Sequence, residues 1–585
     1  MIRDYDRQLI FLFVVTVVIL IVGIGLRDPW PADEPRYALI AKEMVEGGNW
    51  LIPHVGGVLY PDKPPIFFWL VAALFALTGS ISVSFLLPGV IAGIGVMWLV
   101  TDLSRRLWDE RSALWIGCTL LAMIQFPLQM KAGQIDGLLC LWTTLALYGL
   151  CRHLLIGPHW GWYTIAGLSC GIGVITKGVG FLPLLILIPF FVLRSRGWAV
   201  SDLKSPDWRW ALAPLALIAA IGIWLAPMLL AASGHADPDI IAYRDNILFK
   251  QTVTRYAESW GHLRPPWYLV INAVPWLWFP VTFMLPWLIP AWRRDVKERD
   301  TAIVLIGAWV LMVLLFFSLS HGKRGVYIFP AAPAVAMIAG YHARDILNRL
   351  AAKRTLFVAT ILLATILLAA GVYVLRDPDV LRQRISTDLS FVSAAIVAVA
   401  MLMFIICIFT RVRHAAAGLA GTLALLWIFV SVIVYPAIND SRSGKVIINQ
   451  VSAIMPSGLT LGLADWPEQF LLQWPGPAVH FGYRRADKIA EGRDAAIWLS
   501  RGLDRRLLIS ENLIEPCFDE SKLVALGKAH RRNWFLAREE SLTAECRNID
   551  QPIEQIVFYR ASKQLALLIS KTPLSVYRRA RVFSE

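Results

Sequence analysis

Thirteen apolar runs, each about as long as a helix that crosses a bilayer, set the fold class of this chain. A bilayer core of about 30 Å requires roughly 20 predominantly apolar residues in a helix. Hydrophobic residues make up 57% of the chain and charged residues only 17%, which is unlike a soluble enzyme. The sequence therefore predicts an α-helical polytopic membrane protein, with spans near residues 9–26, 82–102, 111–130, 136–155, 161–176, 178–195, 210–232, 266–291, 302–320, 325–341, 355–375, 390–411 and 415–436.

One further apolar run, residues 64–79, decides the topology. It is short and begins with two prolines, so it either crosses the membrane or lies at the interface. If it lies at the interface, the later basic segments fall on the same side as Arg3 and Arg7, and positive residues mark the cytoplasm. We therefore expect about thirteen spans, a cytoplasmic N-terminus and an external C-terminal end. The first run is expected to be retained, because no small-residue cleavage site follows it.

The hydropathy falls after about residue 439, where short apolar runs alternate with polar segments. This pattern predicts a soluble α/β domain at 439–585, which follows a membrane domain at 1–438. An odd number of spans places this domain outside, on the face of the membrane opposite the cytoplasm. The external loops of the membrane domain are expected at 27–81, with interfacial helices, and at 233–265. Cys517 and Cys546 lie in the C-terminal domain, where a disulfide and two buried thiols both remain open.

Charge and motifs exclude several classes of function. The net charge of +14 fits cytoplasmic loops that attract anionic membrane lipid, so no nucleic-acid partner is expected. The chain has no P-loop and no strand-linked GxGxxG, which argues against ATP-driven transport and dinucleotide chemistry. CxxC and HExxH metal signatures are also missing from the sequence.

The expected topology collects six polar motifs on the external face of the membrane. A carboxylate or cation beside hydrocarbon is costly unless it is paired or solvated, so such residues are candidates for a functional site. The motifs are Asp33-Glu34-Pro-Arg36-Tyr37, Asp62-Lys63-Pro-Pro, Lys131 to Asp136, Thr176-Lys177-Gly178, His262-Leu-Arg264-Pro-Pro-Trp-Tyr268 and His321-Gly-Lys323-Arg324-Gly-Val-Tyr327.

These residue types suit the transfer of a sugar from a polyprenyl phosphate. Lysine and arginine recognise phosphate, which serves in such a donor as both the anchor and the leaving group. A carboxylate beside them can act as a general base on an acceptor hydroxyl. The compartment outside a bacterial inner membrane lacks nucleotide sugars, so a lipid-linked donor is expected there.

The same motifs carry a resemblance to a known family. Asp-Glu-Pro-Arg-Tyr, followed by Asp-Lys-Pro-Pro about 30 positions later, resembles the bacterial aminoarabinose transferases of lipid A. More broadly, the chain is similar to GT-C class membrane glycosyltransferases, which include the protein O-mannosyltransferases. The resemblance covers residues 1 to about 440. It implies a GT-C fold, a polyprenyl-phosphate-linked sugar donor and a lipid A-like glycolipid acceptor, with a protein acceptor as the alternative.

The resemblance also implies roles for individual residues. Asp33 matches the acidic residue that activates or orients the acceptor, and Glu34, Arg36 and Tyr37 support it. Lys63 matches the lysine that meets the donor phosphate. Asp136 is either a second catalytic carboxylate or the N-cap of its helix. The other expected phosphate-binding residues are Lys177, Arg264, Lys323, Arg324 and Tyr327, although membrane-lipid anchoring remains open for Arg264, Lys323 and Arg324.

A metal site is the least determined part of the resemblance. Asp62 stands where the aminoarabinose transferases usually carry glutamate, and His262 is its candidate partner. One carboxylate and one histidine are an incomplete zinc shell, because three or four protein ligands are usual. No cofactor is expected to be required, and a divalent metal such as zinc stays open.

The sequence thus favours an inverting glycosyltransferase in a bacterial inner membrane. A protein O-mannosyltransferase is the nearest alternative within the same class. A transporter or flippase of lipid-linked sugars is the alternative of another class, but the chain has no twofold repeat and no intramembrane ladder of charges. The motif set does not resemble that of an O-antigen ligase.

Overall fold

A computed structural model describes most of the membrane domain and part of the C-terminal region. Within each described segment the backbone is continuous. Three single positions, 491, 494 and 498, are described as well. The segments are 4–198, 207–233, 238–248, 263–377, 389–454, 458–464, 468–482, 505–510, 534–537, 555–561 and 564–570.

Helices occupy every one of the thirteen predicted apolar runs. The α-helices are α1 Asp4–Ile21, α2 Glu34–Gly47, α3 Ile66–Thr78, α4 Ile81–Ser84, α5 Leu87–Leu107, α6 Glu110–Ala122, α7 Gln125–Met130, α8 Ile135–Cys151, α9 Trp160–Lys177, α10 Leu187–Ser195, α11 Leu212–Ser233, α12 Pro238–Asp245, α13 Val274–Leu277, α14 Leu285–Glu298, α15 Thr301–Leu319, α16 Ala332–Gly340, α17 Ala343–Leu347, α18 Leu350–Arg376, α19 Leu389–Thr410, α20 Ala415–Phe429, α21 Tyr435–Arg442, α22 Lys445–Ile454 and α23 Glu468–Gln473. Shorter 3₁₀ or π turns extend several of them, at Arg152–Ile156, Leu182–Ile186, Trp208–Ala211, Leu269–Ala273, Val281–Met284, Gly325–Ala331, Val412–His414 and Val430–Val434.

Seven helices within the described residues are long and apolar enough to cross a membrane, and a bent pair raises the number to eight. The predicted total of about thirteen spans is therefore matched in position by helices but is not established as a count. The helix at Ile66–Thr78 has 13 residues. At 1.5 Å per residue it is about 20 Å long, which is shorter than a bilayer core.

The predicted span at 266–291 departs from a single straight helix. It consists of two helical segments, Leu269–Leu277 and Val281–Glu298, bent by 102°. Pro280 lies at the break, where it provides no backbone N–H and its ring interferes with a continuing helix. The sequence could place apolar residues here, but it did not reveal the bend, because prolines are tolerated inside many membrane helices.

Strands dominate the described part of the C-terminal region. Six of them form one mixed sheet in the order β4-β3-β5-β8-β7-β6, in which β3 pairs in parallel with β4 and β5, and the remaining pairs are antiparallel. Two short strands near residue 56 form a separate hairpin. The strands are β1 His54–Val55, β2 Val58–Leu59, β3 Thr460–Ala464, β4 Ala478–His480, β5 Arg505–Ser510, β6 Trp534–Ala537, β7 Gln555–Ala561 and β8 Gln564–Ser570.

The membrane helices place two polar clusters at opposite ends of α1. At its beginning, Asp6 lies 3.3 Å from Arg105, and the Arg111 Nε donates to the Tyr5 hydroxyl at 2.8 Å. At its other end, the Lys131 ammonium donates to backbone carbonyls of the last turn. Helix α9 packs between α8 and α11, and α5 packs against both α6 and α8. These contacts bring the beginning of α8 and the last turn of α9 to the same end of the helix bundle as Lys131.

Candidate functional site

Asp33 occupies the N-cap position of α2, but its side chain makes no capping hydrogen bond. Its described partners are two arginines, each at a long distance. The Oδ1 atom lies 3.5 Å from Arg36, and the Oδ2 atom lies 3.6 Å from Arg324. The Asp33 side chain is 20% exposed, so the carboxylate is both flanked by positive charge and accessible. Contacts of this length leave its oxygen lone pairs available for a shorter hydrogen bond.

Glu34, the next residue, has the opposite environment. Arg27 donates to both of its carboxylate oxygens, at 2.5 and 2.8 Å. The backbone N–H of Trp30 and that of Gly133 also donate to it, at 2.9 and 2.8 Å. Four hydrogen bonds use the acceptor sites of a carboxylate, so Glu34 ties the loop before α2 to the start of α8.

Arg27 and Lys131 complete this network, and the sequence did not identify either contact. The Arg27 guanidinium is buried and lies over the ring of Trp30 at 4.6 Å. The Lys131 ammonium donates to the carbonyls of Ile19 at 2.9 Å and Val22 at 2.5 Å, and thus caps the C-terminal end of α1. Burial and the nearby Arg27 lower the pKa of Lys131 to about 8. A cation just beyond an apolar span was the available signal, but it is equally typical of interfacial snorkelling.

Asp136 and Lys177 form an ion pair between two neighbouring helices. Asp136 lies in the first turn of α8, and Lys177 is the last residue of α9, so a carboxylate and an ammonium each face the helix end that favours their charge. The N-cap of α8 is Gln134, so the alternative that Asp136 caps its helix is wrong. The Lys177 ammonium also lies 5.1 Å from the centre of the Tyr327 ring, within the range of a cation–π contact.

Two tyrosines connect Asp33 to the Asp-Lys-Pro-Pro motif. Tyr37 is buried, and its pKa is raised by burial and by the neighbouring Tyr60, Asp33 and Asp136. Tyr60 is also buried, and burial and the Asp62 carboxylate raise its pKa, while a hydrogen bond that the Arg36 guanidinium donates to its hydroxyl opposes that rise. The two tyrosines therefore lie among three of the carboxylates that the sequence singled out.

The remaining residues that were predicted to bind phosphate differ in burial and in the groups that they contact. Lys63 follows Asp62 in a partly buried turn. Lys323 is buried, and its ammonium donates to the backbone carbonyls of Ser320 and Arg264, so it holds two loops together. Arg264 itself is exposed, and its guanidinium lies 5.4 Å from the Tyr268 ring. The structure thus brings Arg324 to Asp33, whereas it uses Lys323 to join neighbouring backbone.

The metal prediction falls partly outside the structure. Asp62 is described, but its candidate partner His262 lies outside the described residues, as do Cys517 and Cys546. Within the described residues, no group of three or more histidine, cysteine, aspartate or glutamate side chains is placed to hold a metal ion. The described side chains therefore do not make a metal centre, and the pairing of Asp62 with His262 stays a prediction.

Residues near and beyond the last membrane helix also reach the site. The Asn439 side chain accepts hydrogen bonds from the Asp28 N–H at 2.8 Å and from the Trp30 Nε1 at 2.9 Å. In the C-terminal region, the Glu468 carboxylate accepts from the Arg36 Nε at 2.7 Å. The sequence did not predict these contacts, because more than 400 positions separate the partners and no local pattern connects them.

The helix bundle and its charged end have counterparts among known proteins. A family model described as dolichyl-phosphate-mannose-protein mannosyltransferase matches residues 62–224. The undecaprenyl phosphate-alpha-4-amino-4-deoxy-L-arabinose arabinosyl transferase 2 of Pseudomonas fluorescens is 32% identical over 55% of this chain and 57% of its own length. A transferase of that name, without the final numeral, from Pseudomonas aeruginosa is 32% identical over 53% of this chain and 55% of its own length. The match thus spans little more than half of these curated relatives.

Similarity in structure extends further along the chain. The crystal structure of ArnT from Cupriavidus metallidurans bound to undecaprenyl phosphate superposes with a TM-score of 0.69, at 18% sequence identity. The superposition covers 96% of this chain and 97% of that one. The chain therefore has the fold of the crystallised ArnT, and its resemblance to the GT-C glycosyltransferases of the aminoarabinose transferase and protein O-mannosyltransferase superfamily is confirmed.

Proposed function

We propose that this protein transfers a sugar from undecaprenyl phosphate, or a closely related polyprenyl phosphate, to a lipid A-like glycolipid. The observation that carries the proposal is the open carboxylate of Asp33, which lies 3.5 Å from Arg36 and 3.6 Å from Arg324. Such a group can meet an acceptor while the nearby cations meet a phosphate. The names of the relatives from the two Pseudomonas species support this choice of donor.

In the proposed mechanism, Asp33 aligns and deprotonates the acceptor, which attacks the anomeric carbon with inversion. The bond from that carbon to the phosphate oxygen breaks, and the electron pair leaves with the polyprenyl phosphate. Lys177, Arg324 and Lys63 stabilise the departing phosphate, with Arg264 at the rim. Preorganised cations of this kind contribute about two to three orders of magnitude in rate per critical group.

The role of Asp33 depends on the acceptor. A hydroxyl acceptor must lose a proton, so Asp33 serves as the general base. A phosphate acceptor is already ionised near neutral pH, and Asp33 then orients it, with Arg36 and Arg324 offsetting the repulsion between the two anions. Tyr37 and Tyr60 stay protonated, since burial raises the pKa of each, and both can donate a hydrogen bond.

The proposal includes an orientation in a bacterial inner membrane. We place the end of the bundle with Asp33 and Lys131 at the periplasmic face, with about thirteen spans and the N-terminus in the cytoplasm. The domain at 439–585 then lies in the periplasm as a soluble α/β unit. In support, Asp6 and Arg105 meet at the opposite end, where the positive-inside rule expects basic residues.

A protein O-mannosyltransferase-like activity is the second candidate, because the matching family model carries that description. The transporter alternative is weaker. Helix α8 has Asp136 in its first turn and no further charged residue up to its end, and the only charge in α9 is Lys177 at its last position. Charges confined to helix ends do not make a path across the membrane.

Mass spectrometry of lipid A and of membrane glycoproteins tests the proposal. The sample is taken from cells that produce the wild-type protein, the variant Asp33→Asn, or neither. We expect an added sugar mass on lipid A that requires the wild-type protein and is absent with Asp33→Asn. A mass that appears on glycoproteins instead identifies the mannosyltransferase-like alternative. Purified protein that leaves a defined polyprenyl-phosphate sugar unconsumed with either acceptor would contradict transfer altogether.

A further inference from the structure

We propose that Glu468, in the C-terminal region, is a positioning residue for Asp33 and acts through Arg36. It holds the Arg36 guanidinium away from Asp33, so that the carboxylate stays open to the acceptor. This inference rests on the proposed transferase function. It also gives the C-terminal domain a part in the reaction, although none of its residues needs to touch the substrate.

The guanidinium of Arg36 is shared among four partners, one of which is the buried Tyr60 side chain. Its Nε donates to Glu468 at 2.7 Å, its Nη2 donates to the Ala32 carbonyl at 3.2 Å, and its Nη1 lies 3.5 Å from Asp33. The Arg36 side chain is only 7% exposed and that of Glu468 only 14%. The short contact of a charged pair in a buried setting is the strong one, and the 3.5 Å contact is weak.

Glu468 determines how the Arg36 guanidinium distributes its hydrogen bonds, because a second carboxylate, that of Asp33, is also within its reach. Asp33 and Arg36 are three positions apart at the start of a helix, a spacing that permits a close ion pair. Without a carboxylate at position 468, the guanidinium is expected to turn toward Asp33 and form two parallel hydrogen bonds with it. Asp33 would then lose the free lone pairs that the acceptor needs.

Contacts that do not involve Arg36 also join the C-terminal region to α2 and to the β1–β2 hairpin. Helix α23 packs on α2. On another element, the His480 ring of β4 contacts the Gly56 carbonyl at the tip of the β1–β2 hairpin. Glu43 of α2 accepts from the N–H groups of Gly56 and Gly57 at 2.7 and 3.2 Å. The hairpin leads directly to Asp62 and Lys63, so the domain contacts both chain segments that carry the predicted site.

The test compares steady-state kinetics of the full-length wild-type protein, Glu468→Gln and Glu468→Asp with a defined undecaprenyl-phosphate sugar. We expect Glu468→Gln to lower kcat about tenfold or more, because the acceptor loses its aligned partner, while the KM for the donor changes less than about threefold. Glu468→Asp keeps the charge and should recover a large part of kcat. The matched control is Glu46→Gln, since Glu46 is an exposed carboxylate of α2 whose described contact, with Lys42, is 3.9 Å long.

A charge swap distinguishes a positioning role of Glu468 from a role that only attaches the C-terminal region to α2. In the variant Arg36→Glu with Glu468→Arg, the ion pair between the domain and α2 is restored in reverse, but a carboxylate now faces Asp33. We expect the melting temperature to recover and kcat to stay low. Recovery of both, or a wild-type kcat in Glu468→Gln, would overturn the inference.

Failure of the underlying function gives a different result. If the wild-type protein transfers no sugar from the defined donor, the proposed function fails for every variant alike. The contact itself is then tested by melting temperatures of Arg36→Gln, Glu468→Gln and the double variant. A shift in the double variant that is clearly smaller than the sum of the two single shifts indicates that the pair forms, whereas additive shifts contradict it.

Discussion

Two aspartates at opposite ends of the membrane helices have the same kinds of neighbours and very different geometry. Asp102, on α5, accepts from Arg106 at 2.6 and 3.2 Å and from the Tyr148 hydroxyl at 2.6 Å, and Arg152 donates to that hydroxyl. Asp33 has two arginines and a tyrosine nearby as well, but its described ion-pair contacts are 3.5 and 3.6 Å long. One carboxylate is saturated, and the other is kept open.

The difference shows that residue type alone does not distinguish the proposed functional carboxylate, Asp33, from Asp102. Asp102 and Arg106 are four positions apart on one helix, so the side chains meet without help from other elements. Arg36 instead gives its shortest hydrogen bond to Glu468, which lies 432 positions away. An unsaturated carboxylate beside cations has a cost in stability, and such costs are typical of functional sites.

Asp33→Asn is the variant that should have the largest effect. Amide in place of carboxylate removes the group that activates or orients the acceptor, so kcat should fall by about 10²–10⁴. Its melting temperature should stay near that of the wild type, because no short contact is lost. Turnover with a defined donor measures the first effect, and a kcat within about threefold of the wild type would refute the assignment.

Glu34→Gln should behave in the opposite way to its neighbour. The change leaves the buried Arg27 without its charged partner, and loss of one partner of such a pair costs about 3–5 kcal/mol. We therefore expect a large fall in thermal stability in detergent or nanodiscs. A wild-type melting temperature in Glu34→Gln would show that the saturated carboxylate does not hold the loop.

Lys177→Gln is expected to lose activity because the departing phosphate of the donor is stabilised less. Removal of the ammonium takes away one preorganised cation, so kcat should fall by about 10²–10³. The matched variant Lys177→Arg keeps the charge and should retain more activity than Lys177→Gln. Equal activity in the glutamine and arginine variants would indicate that Lys177 serves only to pair with Asp136.

Asp102→Asn should have the smallest effect of the four. It weakens hydrogen bonds at the opposite end of the bundle and should cost about 1–3 kcal/mol of stability, with kcat of the folded protein unchanged within about twofold. The comparison with Asp33→Asn uses the same chemical change at both ends. A kcat loss in Asp102→Asn as large as that in Asp33→Asn would remove the distinction between the two carboxylates.

The sequence predicts the positions of the helices directly, but it does not show which charged residues contact one another. Long apolar runs identify membrane helices directly, and each of the thirteen contains helix. Asp33, Asp136 and Lys177 are candidate site residues in the sequence because charges beside apolar runs are unusual. Their pairing could not be read from spacing, since Asp136 and Lys177 meet only when α8 and α9 pack as antiparallel neighbours.

Other features were beyond the reach of local patterns. The bend in the predicted span at 266–291 depends on how Pro280 is accommodated by surrounding helices. Lys131 resembled a site residue in the sequence, but it caps α1 through contacts that cross more than 100 positions. The contact between Glu468 and Arg36 could not be predicted, because the C-terminal region has no motif of its own.

Equilibrium binding of undecaprenyl phosphate to the wild-type protein and to Asp33→Asn tests the central claim most directly. If Asp33 acts on the acceptor, the loss of its negative charge leaves the Kd for this anion unchanged or lower, even though kcat falls. The account predicts that separation of binding from turnover. A Kd that rises in proportion to the loss of kcat would contradict it, because Asp33 would then be needed to hold the donor rather than to engage the acceptor.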